Sequence, residues 1–136
     1  MPLNAKSGKK PWAFLISVAN GQRSYGQGLL DNSQSVQPGQ PLGLITATSR
    51  LVAMDPTAGD GSENFAGLAG GFEGDIVTSA TETKDIAMLV GDAEVNEFEI
   101  VFPDTWTDPQ IAAAKTQMGT AGIKLVGASV ASGNAL

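Results

Sequence analysis

Apolar and polar positions along this chain repeat with two different periods, and each change of period marks an element. Trp12, Phe14, Ile16 and Val18 lie two apart, with Ala13, Leu15 and Ser17 between them. That spacing predicts a strand over 12–18 with the four large groups on one face. Asn20-Gly21 follows, a pair suited to a tight turn because both residues tolerate positive φ. Ser24–Leu30 is then expected to return as the partner strand, although Gly26 and Gly28 weaken it. A polar stretch with a Pro38-Gly39 turn separates this region from short apolar runs at Leu42–Thr46, Arg50–Met54 and Phe65–Leu68. Residues 76–83 are ambiguous, β-branched at first and then polar.

The last third is the most legible. Asp85–Val90 is almost continuously apolar, as a strand buried on both faces would be. Val95–Phe102 alternates, which predicts a half-buried strand with Phe98, Ile100 and Phe102 inward and Glu97 and Glu99 outward. Pro103 ends it. Thr107 or Asp108 can cap a helix, with Pro109 in the first turn and Gln110 three residues after Thr107. Ile111, Ala114, Met118 and Ala121 form its apolar stripe, Gly122 stops it, and Ile123–Val126 closes the body as a final strand. The expected core is Phe98, Ile100, Phe102, Ile111 and Met118. The fold class is α+β and β-rich: a small compact body of short strands with one short helix, an extended N-terminal arm and a C-terminal tail. The expected division is 1–40 for the N-terminal arm and docking strand or hairpin, 41–126 for the body and 127–136 for the tail.

Composition removes most chemistry. The 136 residues include no His and no Cys. That excludes Ser-His and Cys-His arrangements, disulfides and the commonest metal ligand, so no catalytic set and no cofactor are expected. The net charge of −6 is unevenly placed. Lys6, Lys9, Lys10 and Arg23 precede the first acid, Asp31; from there on 14 acids face four bases, a balance of −10. A body of that sign repels nucleic acid, so no direct nucleic-acid binding is expected. No apolar run approaches a membrane span, and no membrane partner is expected. Residues 6–19 imitate a signal peptide, but their apolar core, Trp12–Ile16, is too short for one.

The loop 55–64 invites a calcium reading. Counted from Asp55, the fifth position is Gly59 and the sixth Asp60, which breaks the EF-hand pattern. Gly70–Gly74 lacks dinucleotide-binding spacing, and Ser7-Gly8-Lys9-Lys10 lacks the first glycine of a P-loop. The positive signal is the strand face Trp12, Phe14, Ile16 and Val18 beside a basic arm. It suits either packing in its own body or strand addition to another chain.

Several segments, in order, carry a family likeness. They are Leu15–Ser24, Pro41–Thr46, Arg50–Pro56, Asp60–Ser62 with Phe65–Leu68, Leu89–Asn96, Val101–Pro103 and Ala121–Val126. Over residues 15–126 the chain resembles the head decoration proteins of lambda-like tailed phages. Gly91 stands where that family often has a basic residue, and Phe102 where it often has Trp. The resemblance implies a structural protein, not an enzyme, on the outer surface of the capsid and made in the bacterial host cytoplasm. It implies trimers at local three-fold axes of the expanded head, cementing the shell against packed DNA. The partners it implies are the major capsid protein and the chain itself. Trp12, Phe14, Ile16, Val18 and Arg23 are the expected capsid-binding residues. The other reading is a small non-catalytic β-rich module, for example glycan-binding, on a virion or cell surface, with Trp106 or Trp12 stacking on sugar.

Overall fold

The computed structural model describes residues 12–18, 24–70 and 74–127. Among the described residues ten strands, one 3₁₀ turn and one α-helix follow in the order β1 (Leu15–Val18), β2 (Tyr25–Leu30), β3 (Ser35–Val36), β4 (Pro41–Ile45), β5 (Arg50–Ala53), β6 (Gly67–Gly70), β7 (Ile76–Val77), β8 (Lys84–Leu89), β9 (Ala93–Asn96), the 3₁₀ turn Glu97–Glu99, α1 (Asp108–Thr120) and β10 (Ile123–Val126). The β-rich α+β class expected from the sequence is what is found.

The centre is a closed five-stranded barrel in the order β2-β5-β4-β6-β8. Closure leaves no free edge among these strands. β2 pairs antiparallel with β8 along its whole length, from Tyr25 opposite Leu89 to Leu30 opposite Lys84. Its glycines permit close approach rather than breaking it: a Cβ at Gly28 would run into the Leu51 side chain. Leu30, Leu42, Leu51 and Ala69 fill the barrel with almost no exposure.

A second layer covers one side of the barrel. Here β9 lies between β1, antiparallel to it, and β10, parallel to it. A parallel pair needs a crossover, and α1 supplies it. Phe14, Leu68, Leu89, Val95, Ala114 and Met118 form the core between the layers. β6 and β8 therefore bury both faces, Leu68 and Leu89 toward this core and Ala69 and Ile86 toward the barrel interior. That is why Asp85–Val90 reads as a nearly unbroken apolar run. β3 and β7 form a separate two-stranded ribbon.

The helix is specified locally. Thr107 is its N-cap: its hydroxyl accepts from the Gln110 N–H, while the Gln110 side chain accepts from the Thr107 N–H at 2.8 Å. Gly122, at φ +94, stops it in a conformation open mainly to glycine.

Three expectations need correction. The 12–18 strand and β2 do not form a hairpin: β1 pairs with β9, and β2 belongs to the barrel. Residues 24–40, drawn as part of the arm, pack within the body, with Leu30 and Val36 buried. The strand expected over 95–102 ends at Asn96, whose side chain accepts from the Phe98 N–H at 3.0 Å and starts the 3₁₀ turn. That turn throws Phe98 outward to 66% exposure, while Ile100 stays buried and Phe102 half-buried. Of the other expected core residues, Met118 is buried and Ile111 only partly so. The Asn20-Gly21 turn and residues 128–136 of the tail lie outside the described residues.

Candidate docking face

The candidate face is built around β1. Among the described residues no strand pairs with the side of β1 away from β9. An unpaired edge presents a row of main-chain donors and acceptors, the requirement for strand addition. The pairing with β9 is irregular. Leu15 lies opposite Val95 and Ser17 opposite Glu94, so Ile16 occupies a bulge. The bulge splits the alternation that the sequence suggests. Phe14 points into the core and is 1% exposed, whereas Ile16 and Val18 are open at 47% and 37%.

Trp12 sits half-buried at the root of this strand. Its φ is +56, an unfavourable conformation for a bulky side chain that costs on the order of 1–3 kcal/mol. The Leu15 N–H donates to its carbonyl at 2.9 Å, closing a turn. Its ring stands edge-on to Tyr25 at 5.1 Å and to Phe14 at 6.0 Å. Arg23 lies outside the described residues. The structure thus brings Trp12 and Phe14 together in the body and leaves Ile16 and Val18 on its surface.

Beside the bulge, the Ser17 hydroxyl donates to Glu94 Oε1 at 3.0 Å, and Lys124 stands 4.0 Å from the same carboxylate. Exposed pairs of this kind contribute about 0–1 kcal/mol each. The large apolar groups most exposed on the β1–β9–β10 sheet are Ile16 and Val18 of β1. Phe98 is a second exposed apolar group, two residues after Asn96, whose N–H donates to the Phe14 carbonyl. Its sequence signal is Asn96 itself, a residue that starts local turns by accepting from the backbone two positions on.

Catalytic geometry is missing among the described residues. An open groove of about 350 Å³ runs between the loop after β5 and α1, lined by Met54, Pro56, Ala113 and Ala114 with Glu63 its one charged group. It holds no nucleophile–base pair. No group of three potential metal-ligating side chains occurs among the described residues. The acids of the 55–63 loop are occupied locally. Asp60 Oδ1 accepts from the Ser62 hydroxyl at 2.6 Å and the Ser62 N–H at 3.0 Å. These bonds, the hydroxyl first, hold the Asp60 carboxyl below its ordinary value. Glu63 accepts from the Gly61 N–H at 2.8 Å. The buried hydroxyls are satisfied too: Ser24 donates to the Asp92 carbonyl and Thr78 to the Asp31 carbonyl. Both indoles pack on aromatic neighbours, Trp106 at 5.6 Å from Phe102, and neither is fully exposed. Among the described residues no helix is long and apolar enough to cross a membrane.

A barrel with a side sheet whose edge strand β1 is unpaired among the described residues has the geometry that strand addition requires. The family model described as bacteriophage lambda head decoration protein D matches residues 4–123, and the chain belongs to that family. No curated protein matches it. Membership makes it a structural protein of the phage capsid, with a capsid decoration role.

Proposed function

We propose that this protein binds the outer surface of the expanded phage head as trimers at local three-fold axes and stabilises the shell against packed DNA. Its partners are then the major capsid protein and two further copies of itself. Family membership over residues 4–123 is the observation that carries this reading. The chemistry is consistent with it. Binding that favours the mature shell raises that shell's stability by mass action and needs no catalytic group. Many copies with modest contacts brace a shell through avidity.

Attachment runs through the basic arm and β1. Ile16 and Val18 supply apolar contacts, and the unpaired edge of β1 supplies main-chain bonds to a capsid strand. Phe14 and Trp12 support the strand from inside. Lys6, Lys9 and Lys10 lie on the arm, ahead of a body whose balance is −10, and favour an acidic or carbonyl-rich capsid surface.

The test mixes purified protein with expanded shells that lack it. Saturable binding and a higher temperature of shell disruption are expected, with much weaker binding to unexpanded shells. Equal binding to both forms would refute selectivity for the mature head, and absence of binding would refute the proposal.

A further inference from the structure

We infer that Ser62 and Glu63 guard the Asp60-Gly61 peptide against succinimide formation, the slow self-modification to which an aspartate followed by glycine is open. In that reaction the Gly61 nitrogen attacks Asp60 Cγ. A nitrogen–carbon bond forms, a Cγ–oxygen bond breaks, and the carboxyl hydroxyl leaves as water with the proton of the nitrogen. Water then reopens the five-membered ring. Opening at one carbonyl restores aspartate; opening at the other leaves isoaspartate, which adds a methylene to the main chain. No further reagent is needed. Glycine leaves the attacking nitrogen uncrowded, and the fold admits nothing else at 61. Its φ is +108, and an added Cβ would lie 2.7 Å from the Leu44 carbonyl oxygen and run into the Thr46 hydroxyl. Asp60 is exposed, so water reaches the site.

Protection comes from the neighbours at three points. The carboxyl is the first. Asp60 Oδ1 accepts from the Ser62 hydroxyl at 2.6 Å and from the Ser62 N–H at 3.0 Å, which favours the ionised form, and a carboxylate has no hydroxyl to expel. The nitrogen is the second. The Gly61 N–H donates to Glu63 Oε1 at 2.8 Å, and attack requires that this bond be given up. Glu63 does not promote the attack, because a carboxylate is far too weak a base to take an amide proton. The backbone is the third. The Asp60 carbonyl accepts from the Thr46 N–H at 2.9 Å, and the Ser62 carbonyl from the Asp55 N–H at 3.0 Å. Ser62 is buried, and a Cβ at Gly43 of β4 would lie 2.7 Å from the Ser62 Cα, so the clasp is seated on the barrel. Turning the Gly61 nitrogen onto Cγ pulls against all of these bonds. The inference concerns the free chain and is independent of capsid docking.

The test ages the full chain at neutral pH, both folded and in denaturant. Isoaspartate is measured in the tryptic peptide 51–84 by enzymatic methylation and fragment mass spectra. Mapping by peptide is needed because Asn20-Gly21 can close the same ring by losing ammonia, and it lies in another peptide. Each sequence in denaturant sets its own unguarded rate, against which its folded rate is read. Folded wild type should accumulate isoaspartate at Asp60 about tenfold more slowly than the denatured chain, and Ser62→Ala and Glu63→Ala should each raise the folded rate about threefold, the scale of one lost hydrogen bond. Glu63→Gln keeps an acceptor and should age like wild type; ageing like Glu63→Ala would refute the role of the Glu63 hydrogen bond. Equal rates for folded and denatured wild type would overturn the inference. A folded Ser62→Ala or Glu63→Ala that ages as slowly as wild type would overturn it as well, since that side chain then guards nothing. Slower ageing in Glu63→Ala would make Glu63 a promoter of the attack and would also sink it. Circular dichroism checks that each variant is folded; if Ser62→Ala is not, Glu63→Ala and Glu63→Gln decide.

Discussion

Phe14 and Ile16 stand two residues apart and have opposite roles. Phe14 is closed into the core between the two layers, and truncation there leaves a cavity that its neighbours only partly fill. Phe14→Ala should cost about 3–5 kcal/mol in denaturant melts of the free protein. Ile16→Lys replaces a half-exposed side chain in a bulge and should change free-protein stability by no more than about 0.5 kcal/mol. The same variant should bind shells more weakly; unchanged binding would remove Ile16 from the docking face. Asp60 gives a pH signature. Its carboxyl is held below the ordinary 3.8 by Ser62, so the loop clasp is intact above that value. Its contribution is lost as pH falls through the lowered folded-state pKa. Carboxyl NMR titration should find the Asp60 midpoint below 3.8, and Ser62→Ala should move it upward.

At the scale of elements, α1 depends on its capping box. Thr107→Ala should cost about 1 kcal/mol and speed amide exchange in the first helical turn. The bounds of this helix are legible in the sequence because its start and stop are local signals, but of the expected stripe only Ala114 and Met118 are buried, with Ile111 partly so and Ala121 exposed. Also legible are β4, β5 and β8, whose apolar runs match the observed strands to within a residue or so. The failures fall where the deciding information is not local. Glu97-Phe98-Glu99 alternates as a strand does, yet the same three residues make one 3₁₀ turn once Asn96 captures the Phe98 N–H. Alternation across 12–18 predicted one apolar face, but the bulge opposite β9 divides it. The strongest hairpin signal, Asn20-Gly21, joins strands that pair elsewhere, β1 with β9 and β2 with β8. Of the candidate site, the sequence located the strand and its apolar residues.

For the whole molecule, Phe14, Leu30 and Val36 are all buried and β1 pairs with β9. Deleting residues 1–11 removes none of the contacts among residues 12–127. Deleting residues 1–18 takes away Phe14, the Trp12 ring and the β1–β9 pairing. Thermal melts should therefore show a much larger loss for the longer deletion, and equal losses would mean that β1 is dispensable to the body. The same geometry has a consequence in time. Ser17 and Glu94 are 77 positions apart, and β9 is also the strand on which β10 assembles. Contacts that distant form late, because a long loop must close before they stabilise anything. A nascent chain still short of residue 93 has no partner for β1, whatever its barrel strands have achieved. Under the proposed docking role of β1, attachment competence would therefore wait until β9 has been made.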